Sequence, residues 1–132
     1  MHSRAYASHG VGRPIRRRVE RWFLNLESSI RVEIAAKISL LQQVGPTLGR
    51  PHADTLKGSA YPNMKELRVQ IGGDPWRIFF AFDPRRSAIL LVDGNKGGDG
   101  RFHEVNLPIA DERYRDHLAT LIVPPPSKRG PK

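Results

Sequence analysis

The chain has 132 residues, 39% of them hydrophobic, enough for one domain that buries its own core. It has no cysteine, which excludes a disulfide framework, a thiolate nucleophile and a cysteine-ligated metal, and no apolar run reaches the roughly 18 residues of a membrane span. A formal charge of +9, from 22 basic and 13 acidic residues, points to a polyanionic partner and to nucleic acid first, with a soluble protein carrying basic tails as the plainer alternative. The opening MHSRAYASHGVGRP lacks the apolar core of a signal peptide, and a cytoplasmic location is expected.

Residues 1–14 show no hydrophobic period and contain Gly10, Gly12 and Pro14, so a flexible lead-in is expected. From Ile15 the spacing turns helical: Val19, Trp22, Phe23 and Leu26 form one face and Arg16, Arg17, Arg18, Glu20 and Arg21 the other. Ser28 or Ser29 is placed to cap a second helix, Ile30, Ile34, Ile38 and Leu41 form its stripe, and Gly45-Pro46 ends it. So short a link predicts an antiparallel helical hairpin. Thr47 to Asn63 is polar and rich in glycine and proline and reads as a long connection, a kind of segment that is often functional.

Leu67 to Lys96 reads as three antiparallel strands, divided by turns at Gly72-Gly73-Asp74-Pro75 and Asp83-Pro84-Arg85-Arg86. A four-residue first turn sets Ile71 opposite Trp76 and Gln70 opposite Arg77. Alternation then puts Arg68, Gln70 and Arg77 on one face, and Leu67, Val69, Ile71, Trp76, Ile78, Phe80 and Phe82 on the other. The second turn pairs Phe79 with Val92 and Arg77 with Gly94, and Lys96 joins the arginine face. A glycine-rich loop follows, Phe102 to Leu107 reads as an extended edge segment, and Pro108 opens a last helix with Ile109, Ala110, Tyr114, Leu118 and Leu121 on one face. The folded domain is expected over 15–122, and 123–132 is expected to be a basic, proline-rich disordered tail.

Arg68, Arg77 and Lys96, with Lys57 and Lys65 near in sequence, form the first candidate site. Guanidinium groups present forked donors and stay charged at any working pH, so a rigid pair can hold a phosphodiester and its more highly charged transition state. RNA cleavage without metal needs one group to take the proton of the ribose 2′-hydroxyl and another to protonate the leaving oxygen. A crowded lysine or His103 has the chemistry for this. The plainer reading is a solvated basic sheet edge with an exposed histidine. No histidine pair has metal-ligand spacing and no acidic cluster resembles a two-metal site, so neither metal nor cofactor is expected. Phe79 and Phe102 could stack on a base or simply pack.

Several segments together resemble the RelE/HigB superfamily of toxin–antitoxin ribonucleases, in its phage-derived HigB-like branch. They are Lys57-Gly58-Ser59, Met64-Lys65-Glu66-Leu67-Arg68, Trp76-Arg77-Ile78, Phe80-Ala81-Phe82-Asp83-Pro84 and Asn95-Lys96. The GPTLGRPHADTLKGS connection and the PIADERYRDHL helix share the likeness, which runs from about Val19 to Leu121. The resemblance implies an α+β fold, with an N-terminal helical hairpin packed on a small antiparallel sheet, a C-terminal helix, and helices on one sheet face. It also implies the toxin of a type II toxin–antitoxin system: a metal-independent mRNA endoribonuclease working at the ribosome, paired with a HigA-like helix-turn-helix antitoxin. Carried onto this chain, Arg68 and Arg77 would hold the scissile phosphate, Lys96 would assist as a charge or acid, and Lys65 and Lys57 would hold the RNA backbone; His103 joins the catalytic candidates and Phe102 the RNA-binding ones on their own chemistry. A non-catalytic RNA- or ribosome-binding module and an inactive toxin that mainly binds its antitoxin remain alternatives. Relatives usually begin with a strand, which residues 1–18 do not suggest, and often carry an aromatic–tyrosine pair where this chain has Phe102-His103.

Overall fold

A computed structural model describes residues 23–122. The expected lead-in, the tail and nearly all of the first predicted helix lie outside these residues, and Phe23 and Leu24 form its described end. Helix α1 runs Ser28–Val44 and buries Ile34, Ile38 and Leu41, as its apolar stripe requires. Glu27 rather than a serine stands at its N-cap, and its carbonyl accepts from Ile30 and Arg31. Gly45 ends the helix with φ +83, a left-handed conformation that favours glycine.

A four-stranded antiparallel sheet follows in the order β1-β2-β3-β4, comprising β1 (Ala53–Thr55), β2 (Lys65–Ile71), β3 (Asp74–Phe82) and β4 (Ala88–Asn95). Strand β1 falls inside the stretch expected to be only a connection. Three residues of weak β propensity carry no legible signal, and pairing with β2 creates the strand. The β2–β3 turn is also shorter than expected. Gly72 and Gly73 both take positive φ, which permits a two-residue turn, so Ile71 pairs Asp74, Val69 pairs Trp76 and Arg68 pairs Arg77. The slip leaves every residue on its expected face because side chains alternate with a period of two. Pro75 is tolerated because it is the second residue of β3 and its missing N–H points away from β2, toward Lys96 just past the end of β4, whose N–H donates to the Pro75 carbonyl at 2.9 Å. The β3–β4 pairing has Phe79 opposite Val92 and Arg77 opposite Gly94, as expected, with an irregularity just after Phe79.

Helix α2 spans Phe102–Ile122. Its first turns replace the expected extended segment, and Pro108 sits within the helix rather than opening it. Asp99 begins it by accepting the Arg101 N–H on its side chain and that of Phe102 on its carbonyl. Phe102 packs edge-on to Phe79 at 5.7 Å, and His103 reaches Glu66. Phe79 and Glu66 are cross-strand partners, so α2 lies over the arginine face. Helix α1 covers the other face, where Leu67, Ile78 and Phe80 are buried. The expectation of all helices on one face is therefore corrected. Phe79, Ala81, Ile89 and Val92 are buried as well and need an apolar cover of their own. The far end of α2 is tied by His117 Nε2 to Asp83 at 2.9 Å and by the Tyr114 hydroxyl, which donates to the Phe82 carbonyl.

Candidate functional site

Arg68 and Arg77 lie directly opposite each other on one face of β2–β3. Arg68 is about one-third exposed and Arg77 largely covered, with 12% of its side chain accessible. Between them stands Glu66, on the same face because it is two residues from Arg68. Its side chain is 5% exposed, and its carboxylate collects the local positive charge. Arg68 Nε donates to Oε2 at 2.9 Å, His103 Nε2 meets Oε1 at 2.7 Å, and Arg77 Nε lies 3.5 Å from Oε1. Asp54, the β1 partner of Glu66, takes Arg68 Nη2 at 3.3 Å and Arg50 Nε at 3.1 Å. Charges thus alternate across three strands, and α2 brings the His103 imidazole to the same carboxylate as Arg68 and Arg77.

Burial pushes the Arg77 guanidinium below its ordinary value, Glu66 draws it back up, and Arg68 opposes it. It stays a cation regardless, and its Nη1 donates to the Trp76 carbonyl at 3.0 Å. Desolvation pushes the Asp54 carboxyl up, but the Thr55 N–H, Arg50 and Arg68 together outweigh it and hold the group below its ordinary value. His103 rests on the Phe79 ring with centroids 5.2 Å apart, is 38% exposed, and has no hydrogen-bond partner for Nδ1 among the described residues.

The other expected site residues divide. Lys96 continues the β4 register two residues beyond Gly94, which puts it on the arginine face, and its backbone N–H anchors it to Pro75. Lys57 is exposed, beside a groove of about 280 Å³ lined by Gly58, His103, Glu104, Leu107, Pro108 and Asp111. Lys65 belongs to the opposite face, where its Nζ donates to the carbonyls of Pro46 and Leu48 at 3.0 and 2.9 Å. Phe102 is 6% exposed and seated on Phe79 and Gly94, a core position rather than one open to a base. Sequence reasoning passed over Glu66 and Asp54. The alternation that grouped Arg68 with Arg77 also marks Glu66 as their neighbour, but the strand register of Asp54 was out of reach.

Comparison with known proteins gives a consistent result. Residues 21–115 match the model of the family described as "Phage derived protein Gp49-like (DUF891)". The chain is 48% identical over 103 residues to the Mycobacterium tuberculosis protein named "Putative toxin HigB3", covering 77% of this chain and 89% of that one. It is 40% identical over 114 residues to "Putative toxin HigB2" of the same organism, covering 85% of this chain and 57% of that one. The chain belongs to the phage-derived, HigB-like toxin family. No solved structure matches it significantly. The described part of this HigB-like chain has the α+β architecture expected from the resemblance, and its arginine cluster lies within the matched region. Among its described residues no group of three or more histidine, aspartate or glutamate side chains is placed to hold a metal ion, and no helix is long and apolar enough to cross a membrane.

Proposed function

We propose that this chain is the toxin of a toxin–antitoxin pair and that it cleaves mRNA, with the ribosome presenting the substrate in the cytoplasm. The observation that carries the reading is the direct opposition of Arg68 and Arg77 on one rigid sheet face, with His103 held beside them. The toxin names of the relatives and the +9 charge support it. Arg68 and Arg77 take the non-bridging oxygens of the scissile phosphate. The ribose 2′-oxygen attacks phosphorus and gives its proton to a base. The bond to the 5′-oxygen of the next nucleotide breaks, and that oxygen receives a proton. The products are a 2′,3′-cyclic phosphate and a 5′-hydroxyl. His103 and Lys96 are the groups assigned to proton transfer and charge, and fixed cations supply the transition-state stabilisation without reorganising. Lys57 contacts the RNA backbone beside the groove. Lys65 and Phe102 drop out of the RNA-binding set because the first is tied to carbonyls on the far face and the second is core. The partner is a cognate antitoxin of the helix-turn-helix kind, which blocks the basic face.

Inducible expression with mRNA 5′-end mapping tests this. Growth arrest with new ends is expected from wild type and neither from Arg77→Ala; co-expression of the neighbouring antitoxin gene should relieve the arrest. Arrest without new ends would make the chain a binding module. Full toxicity in both Arg68→Ala and Arg77→Ala would remove the assigned site.

A further inference from the structure

We infer that Glu66 is the positioning residue of this site, fixing the ring proton of His103 on Nε2 so that Nδ1 offers its lone pair to the ribose 2′-hydroxyl. The inference rests on the ribonuclease reading above and assigns His103 the part of base. An ionised carboxylate only accepts hydrogen bonds. With Oε1 2.7 Å from His103 Nε2, the hydrogen of a neutral imidazole lies on Nε2. Nδ1 is then the acceptor, and it has no partner among the described residues on a ring that is 38% exposed. Phe79 and Phe102 flank the ring, with centroids 5.2 and 5.9 Å away. The orientation is thus set by packing as well as by the hydrogen bond.

Glu66 is poorly placed to take the substrate proton itself. Its side chain is 5% exposed, and its oxygens already face Arg68, Arg77 and His103. It acts through the imidazole. When Nδ1 takes the 2′-hydroxyl proton, the ring becomes a cation and the adjacent carboxylate stabilises it. The same carboxylate accepts from Arg68 Nε at 2.9 Å, so one buried group sets the spacing between the base and the phosphate-binding arginines.

Glu66→Gln separates this role from a structural one. Arg68 Nε and Arg77 Nε can both only donate, but Arg68 makes a hydrogen bond at 2.9 Å whereas Arg77 stands off at 3.5 Å, so the glutamine oxygen is expected on the Arg68 side. The amide NH2 then falls on His103 Nε2, forces Nε2 to accept, and moves the ring hydrogen to Nδ1. The expected result is loss of cleavage by about a hundredfold or more, while binding of an RNA carrying a 2′-deoxy nucleotide at the scissile position holds or tightens, because both arginines remain and one negative charge beside them is gone. The ¹⁵N resonances of the His103 ring should report the Nε2–H tautomer in wild type and the Nδ1–H tautomer in the variant. Cleavage by Glu66→Gln within about threefold of wild type would overturn the inference, and so would an Nδ1–H tautomer in the wild-type protein, a measurement that needs no variant to fold. A wild type that makes no RNA ends would instead sink the ribonuclease reading, leaving the wild-type tautomer to decide the Glu66–His103 pairing separately.

Discussion

Gly94→Ala probes the seam that joins the last helix to the arginine face. A β-carbon at Gly94 would lie 3.0 Å from Phe102 Cε2 and 3.4 Å from Cζ, whereas carbon atoms rest about 3.5–4.0 Å apart. Phe102 has little room to yield, being 6% exposed and set edge-on against Phe79. The ring and the first turn of α2 must therefore lift by about half an ångström. Overpacking of this kind costs about 1–3 kcal/mol. For a folded unit of about 100 residues each kcal/mol lowers Tm by roughly 4–8 °C, so a fall of about 5–20 °C is expected in thermal melts followed by circular dichroism. His103 is the next residue and moves with the turn. Misplacement on that scale should lower RNA cleavage about tenfold. Gly100→Ala is the control, because no atom lies within 4 Å of a β-carbon there, and its Tm should hold or rise slightly. A Gly94→Ala protein melting within about 2 °C of wild type would refute the claim that contact at this glycine sets the height of the helix.

Three further outcomes follow from the same contacts. His117→Leu leaves the buried Asp83 without its imidazole but with the Arg85 and Ser87 N–H groups, and chemical denaturation should show a loss of about 2–3 kcal/mol. Burial holds the Tyr114 phenol above its ordinary value, so its contribution is intact below about pH 10 and is lost as the pH rises further. Tyr114→Phe, which removes the bond to Phe82, should cost about 1 kcal/mol at pH 7, and its deficit against wild type should narrow in melts above about pH 10. The Asp54 carboxyl is held below its ordinary value, so its contribution is present above about pH 3.9 and is lost as the pH falls through the lower native value. Asp54→Asn should be less stable than wild type at neutral pH, with the two curves converging in acid.

Strand alternation and glycine placement are local properties, and they determined much of this protein without reference to the rest of the chain. Arg68 and Arg77 share a face, Gly94 lies opposite Arg77, and α1 ends at Gly45, whatever packs above them. Even the misjudged length of the Gly72-Gly73 turn left those faces intact, because the slip was even. Everything that needed a partner distant in sequence was decided by tertiary structure. Strand β1 exists because β2 pairs with it. Helix α2 starts at Phe102 because the ring has Phe79 and Gly94 to bury against. Lys65 turns to loop carbonyls on the far face. Glu66 and His103, 37 residues apart, meet only when the helix docks on the sheet. A local period assigns a side chain to a face, whereas the charge, hydrogen or hydrocarbon that meets it there comes from chain closure.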